Sequence, residues 1–171
     1  MGLLSRSKPA KPYLDGLTTL PTLATALREA GLRPTGAASV CVKPVEGGVV
    51  SASEAFDMSS DEFGYTWLTR RTARDDIARL TEELHALVVA GDQAGFGPAL
   101  LCAVVPFSDG RKPTVALIYR FTRGTWYPFA PTGPDERDNA RELEIRTRLG
   151  KDANLERDLT RWSPVWGAPG L

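Results

Sequence analysis

Leu20, Leu23, Ala24, Leu27 and Ala30 recur at helical spacing, so residues 20–30 present one apolar face and are read as an amphipathic helix. Thr19 stands where an N-cap belongs, Pro21 is tolerated in the first turn, and Gly31 suits the left-handed residue past a helix end. The period then changes. After the breaker Arg33-Pro34-Thr35-Gly36, Ala37 to Val45 offers Val40, Cys41 and Val42 ahead of Pro44, the pattern of a short strand. Gly47-Gly48 turns the chain into a second strand, Val49 to Phe56, and Ser59-Ser60-Asp61 marks the next turn. Phe63, Tyr65 and Trp67 alternate with smaller or polar residues as far as Arg70, as a half-buried strand does.

Thr72 followed by Asp75 has capping-box spacing, and Ile77, Leu80, Leu84, Leu87 and Val88 form the strongest apolar stripe, ending near Ala90-Gly91. Ala99 to Phe107 is almost wholly apolar, which a strand needs when both its faces are covered. Beyond Ser108-Asp109-Gly110, Pro113 to Thr122 and Thr125 to Phe129 flank Arg123-Gly124, read as a tight hairpin turn. Asp135 to Leu149 carries acids early and Arg146 and Arg148 late, matching a helix dipole. Leu155, Leu159 and Trp162 suggest a further turn or two, and the prolines of Ser163 to Leu171 forbid a helix, leaving an extended strap or a free tail. Residues 1–16, basic and aperiodic with Pro9 and Pro12, are expected to be a mobile arm ahead of one domain, 17–171. The order α-β-β-β-α-β-β-β-α is that of an α+β fold, with an antiparallel sheet backed by helices.

Composition narrows the function classes. At 171 residues the chain is long enough for a core without staples. Lys plus Arg equals Asp plus Glu at 21 each, so no net field draws it to a phosphate backbone, and nucleic acid is not an expected partner. Cys41 and Cys102 lie in apolar runs and read as small buried hydrophobes, not a disulfide framework. The longest apolar stretch is far short of the ~20 residues of a spanning helix, and the N-terminus lacks a signal-peptide core, so a cytoplasmic protein is expected. Gly2-Leu3-Leu4 with Arg6, Lys8 and Lys11 offers at most a peripheral membrane contact.

Chemistry is sparse. His85, the sole histidine, has no second histidine or cysteine at ligand spacing, so no metal site is expected. No nucleophile elbow is present, and Gly95-Phe96-Gly97-Pro98 leads into a strand where a phosphate-cradling loop would open a helix; no cofactor is implied. Asp75, Asp76, Glu82 and Glu83 fall on a polar helix face, where paired-carboxylate catalysis lacks the burial it needs. A rival reading places a small-molecule or enzymatic pocket near Cys102, His85 and Tyr127. More informative are Trp126, Tyr127 and Phe129 in one proline-bounded segment, followed by Trp162 and Trp166. Trp and Tyr supply rigid contact area with a polar handle, so these five are the candidate protein-interaction residues; the plainer alternative is that they close the core.

Two resemblances extend this. The order of elements is similar to the secretion-chaperone fold and its YbjN-like relatives, which implies a curved sheet that binds polypeptide or dimerises. Lys8-Pro9-Ala10-Lys11-Pro12, Gly31-Leu32-Arg33-Pro34-Thr35-Gly36, Asp61-Glu62-Phe63-Gly64-Tyr65-Thr66-Trp67, Ala94-Gly95-Phe96-Gly97, Tyr127-Pro128-Phe129-Ala130-Pro131 and Trp162 to Leu171 together resemble the actinobacterial PspA-associated protein family PspAB. Residues 46–60 look shorter than in that family. The resemblance implies a non-enzymatic accessory factor in envelope stress, partnered by a PspA-like membrane-stress protein or an HtpX-like protease. It supplies no catalytic residue. A homodimer is left open.

Overall fold

Every strand pairs antiparallel with its neighbours in an open seven-stranded sheet that is the centre of the computed structural model, which describes residues 11–44, 55–110, 113–151 and 153–171. The strands are β1 (Arg33–Pro34), β2 (Ala37–Val42), β3 (Asp57–Ser60), β4 (Thr66–Arg71), β5 (Leu100–Ser108), β6 (Pro113–Arg120) and β7 (Thr125–Phe129). Their order is β3-β4-β2-β5-β6-β7, with β1 also on β5. The helices are α1 (Leu20–Glu29), α2 (Ile77–Gln93) and α3 (Asn139–Leu149). With the antiparallel sheet they make the fold α+β.

Alternation along the strands sorts side chains to two faces. Ala103, Val105 and Phe107 of β5 join Val40, Leu117, Tyr119 and Trp126 in the larger core, under Leu20, Leu27, Leu80, Leu84 and Ile145 of the helices. Cys102 and Val104, one step out of phase, join Cys41, Trp67, Ile118, Tyr127 and Phe129 in a second core on the opposite face, covered by Trp162, Val165 and Ala168 of the C-terminal strap. Both faces of β5 are therefore covered, which is why its sequence reads as a continuous apolar run.

Several expectations need correction. Arg33-Pro34, read as a breaker, forms β1: Arg33 pairs with Ser108 and Pro34 with Phe107. Gly36, at φ +89°, then lets the chain step into β2 on the same edge of β5, and a Cβ there would press into the Thr72 carbonyl. The expected second strand, Val49 to Phe56, lies mostly outside the described residues; the strand that is seen, β3, runs through the predicted turn Ser59-Ser60. The reversal falls at Asp61–Tyr65, so Phe63 is in a turn and β4 starts at Thr66. Thr72 does not cap α2, because its N–H still extends the sheet by donating to Gly36 O at 2.8 Å; Asp76 accepts from Arg79 N instead. Asp138 likewise caps α3, accepting from Arg141 N, so that helix begins at Asn139 and not Asp135. The β6–β7 connection spans four residues, closed by Arg120 against Thr125, with Gly124 at φ +67°. Thr19 sits at the N-cap position of α1 without a capping bond; a 3₁₀ turn, Asp15–Thr19, precedes it, and Thr19 Oγ1 accepts from Trp126 Nε1 at 3.0 Å.

Residues 11–16, read with the arm, are fixed to the body. Tyr13 N–H donates to Phe121 O at 2.8 Å and the Tyr119 hydroxyl donates to Tyr13 O at 2.9 Å. Gly2-Leu3-Leu4, Arg6 and Lys8 lie outside the described residues. Among the described residues no helix is long and apolar enough to cross a membrane.

Candidate functional site

The strap is built residue by residue onto the second sheet face. Leu155 bridges to Trp126, with Trp126 N–H donating to Asn154 O and Glu156 N–H to Trp126 O, so the free edge of β7 is partly capped. Glu156 is then buried, its carboxylate accepting from Arg123, Thr125 and the Asp158 amide. Burial raises its proton affinity, but the Arg123 ion pair and these hydrogen bonds outweigh it and hold the carboxyl below its ordinary range. From there Trp162 turns inward. Its indole N–H donates to Glu156 O at 3.0 Å and its ring stacks on Tyr127 with centroids 6.2 Å apart. The Tyr127 hydroxyl donates to Ser163 O at 2.7 Å, and Arg120 donates to Arg161 O and to the Ser163 hydroxyl. Trp166 meets the edge of Phe129 at 5.1 Å. Gly170 reaches Pro106, so the strap crosses from β7 to β5.

A buried ion pair ties the strap to α3. Glu142, 2% exposed, accepts from Arg137 Nε at 2.8 Å and from Ala130 N at 3.0 Å, while Arg137 donates to Trp162 O at 2.7 Å and lies over the Phe129 ring. One guanidinium thus serves helix, strand and strap together.

Between the strap and the Asp61–Tyr65 turn lies a groove of about 440 Å³. Of its lining residues Cys41, Trp67, Cys102 and Tyr127 are buried and make the floor, while the less buried Phe63, Tyr65, Trp166 and the charged Lys43, Asp61 and Arg120 make the rim. Asp61 shapes the turn, accepting from the N–H groups of Phe63 and Tyr65 and from Trp67 Nε1. Partial desolvation pushes its carboxyl up, but the Trp67 and backbone hydrogen bonds prevail and keep it below the ordinary value. The turn in consequence holds Phe63 outward, 73% exposed, with Trp166 at 36% on the facing strap. Burial pushes the Tyr127 hydroxyl well above the ordinary tyrosine range, so it remains a hydrogen-bond donor at neutral pH.

The five aromatics singled out from the sequence do not form one patch. Trp126 points to the helix face, fully buried among Tyr119, Gly16 and Thr19. Tyr127 and Phe129 are buried under the strap, Trp162 is the strap's own inward-turned, buried ring, and Trp166 alone of the five keeps a substantial exposed surface. Of the rival pocket, Cys102 and Tyr127 do line the same groove; His85 is on α2 against the other face, its Nε2 3.2 Å from Asp15 Oδ1. Of the four acids read on that helix face, three have structural partners: Asp76 caps α2, Asp75 pairs with Arg28, and Glu83 with Arg70 and Arg79. Among the described residues no three His, Cys, Asp or Glu side chains are grouped to hold a metal ion. The sequence reading missed Phe63 and Asp61 as site residues. Asp at the first position of a turn with Gly64 at the fourth was the available signal, overridden by the strand-like alternation around it.

Fold and site together define an open-sheet α+β protein with an aromatic-rimmed groove between a C-terminal strap and a β-turn. The chain belongs to the PspAB family, PspA associated protein B, whose family model matches residues 1–170. No curated protein and no solved structure matches it.

Proposed function

We propose that the protein is a non-enzymatic interaction module that binds a PspA-like membrane-stress protein through the rim of the strap-side groove, acting in the cytoplasm in the envelope-stress response. The observation that carries this reading is the pairing of family membership with Phe63 and Trp166, large apolar side chains held in solvent on either side of one groove. Aromatic anchors around a concave apolar floor are the usual energetic centre of a protein interface. Lys43 and Arg120 outnumber Asp61 among the charged groove residues, which favours an acidic stretch of the partner over a basic one. An HtpX-like membrane protease is the second candidate partner, and peripheral contact with the membrane would follow from either.

Co-purification of the tagged chain from its native host under membrane damage, read by mass spectrometry, tests this. Enrichment of the PspA-like protein with wild type and its loss with Phe63→Ala/Trp166→Ala is expected. Equal recovery with both chains would remove the groove from the interface, and recovery of neither candidate would overturn the reading. A small-molecule site is the alternative, favoured by the placement of Cys102 and Tyr127 on one groove floor. A metabolite that raises the melting temperature of wild type but not of Tyr127→Phe would support it.

A further inference from the structure

We propose that Cys41 and Cys102 are an oxidation site, a dithiol that hydroperoxides convert to a cross-strand disulfide inside the groove. Cys41 of β2 is the register partner of Cys102 of β5. Residues directly opposed in an antiparallel pair stand roughly 4.5 or 5.5 Å apart at Cα, depending on whether they share hydrogen bonds. Both values fall within the roughly 4.4–6.8 Å that a disulfide spans, and the pair lies in regular register up to the shift between Cys41 and Val42. Opposed side chains also share a face, and both sulfurs belong to the strap-side core.

Access is the second observation. The two residues are buried, yet both line the floor of the groove, where a peroxide little larger than water reaches them. A pair of cysteines filling space in a sealed core would lack that opening. The neighbouring Cys41 thiol, then burial, push the Cys102 thiol well up, so it meets an oxidant in its protonated, weakly nucleophilic form and the first attack is assigned to Cys41.

In the first step Cys41 sulfur attacks the terminal peroxide oxygen, the O–O bond breaks, the leaving oxygen takes the Cys41 thiol proton and departs as an alcohol (water, for hydrogen peroxide), and Cys41 becomes a sulfenic acid. In the second, Cys102 sulfur attacks Cys41 sulfur, the S–O bond breaks, and the hydroxyl leaves as water with the Cys102 proton. Two thiols lose two electrons to one peroxide, and the product is held in the groove, not between chains. This goes beyond the binding role proposed above and is tested without a partner.

The purified full-length chain, treated with hydrogen peroxide at neutral pH, is read by intact mass and by peptide mapping before and after reduction. Loss of two hydrogens as a monomer, a Cys41–Cys102 linked peptide, and reversal by dithiothreitol are expected. Cys41→Ser should show no such loss. Cys102→Ser should stop at the sulfenic acid, trapped by dimedone at Cys41 and detected as its mass adduct. Sulfinic or sulfonic acids on wild type without a linked peptide, a disulfide joining two chains, or no reaction while the folded protein persists by circular dichroism would each overturn the proposal.

Discussion

Glu142 and Arg137 are the most deeply buried ion pair among the described residues, their charges facing each other at 2.8 Å with only 2% and 18% of the side chains exposed. Removing one partner strands the other's charge in the core, which costs about 3–5 kcal/mol, whereas solvent screens an exposed ion pair such as Arg161–Asp158. Glu142→Ala is therefore expected to lower stability by about 3 kcal/mol or more in urea unfolding, and Arg161→Ala to leave the unfolding curve close to wild type. At Asp61 the effect belongs to the loop. Its folded carboxyl titrates below the ordinary 3.8, so its hold on the turn is complete above that value and is lost as pH falls through the lower folded one. The Trp67 indole N–H resonance should accordingly stay constant from pH 7 to pH 4 and shift only below; a shift centred above pH 4 would contradict the assignment.

At the scale of elements, α2 is fastened to β4 through Glu83, whose carboxyl is pulled down to about 2 by hydrogen bonds from Arg70 and Arg79. A depressed folded value means stability that is present above the unfolded 4.5 and disappears as pH falls toward 2. With solvent screening the link is worth about 1 kcal/mol. Glu83→Gln should lose that much at pH 7, and the gap to wild type should close near pH 2. The strap makes a stronger claim. Trp162 is buried and hydrogen-bonded, so Trp162→Ala is expected to cost about 3–5 kcal/mol, while the half-open Trp166→Ala costs about 1 kcal/mol or less. Equal losses at the two positions would mean that the strap does not close the sheet as described. Elements with an unbroken pattern were legible in the sequence: the stripe Leu80-Leu84-Val88 gave α2, and the apolar run from Leu100 gave β5. Boundaries were not, because tertiary contacts decided them. Thr72 has capping-box spacing but spends its amide on Gly36, and Arg33-Pro34 has breaker composition but meets the end of β5. The candidate site was legible only in part, since one-dimensional periodicity shows that Trp126 and Tyr127 face opposite ways but not that a strap buries one side.

On the scale of the whole molecule, the two faces of the sheet have different work. The helix side holds the larger core, from Leu17 to Ile145, and the strap side is closed at Trp162 and Ala168 but open at the groove between Phe63 and Trp166. On the function proposed above, the aromatic edges and apolar floor of this groove would be what a partner meets; the chain itself belongs to the PspAB family. The most direct measurement is the affinity of the purified chain for the PspA-like protein of the same organism by isothermal titration calorimetry, comparing wild type with Phe63→Ala/Trp166→Ala. The account predicts saturable binding that weakens at least about tenfold in the variant, roughly 1.4 kcal/mol, while its unfolding curve stays close to wild type. Binding of equal strength by both proteins, or none by either, would contradict it.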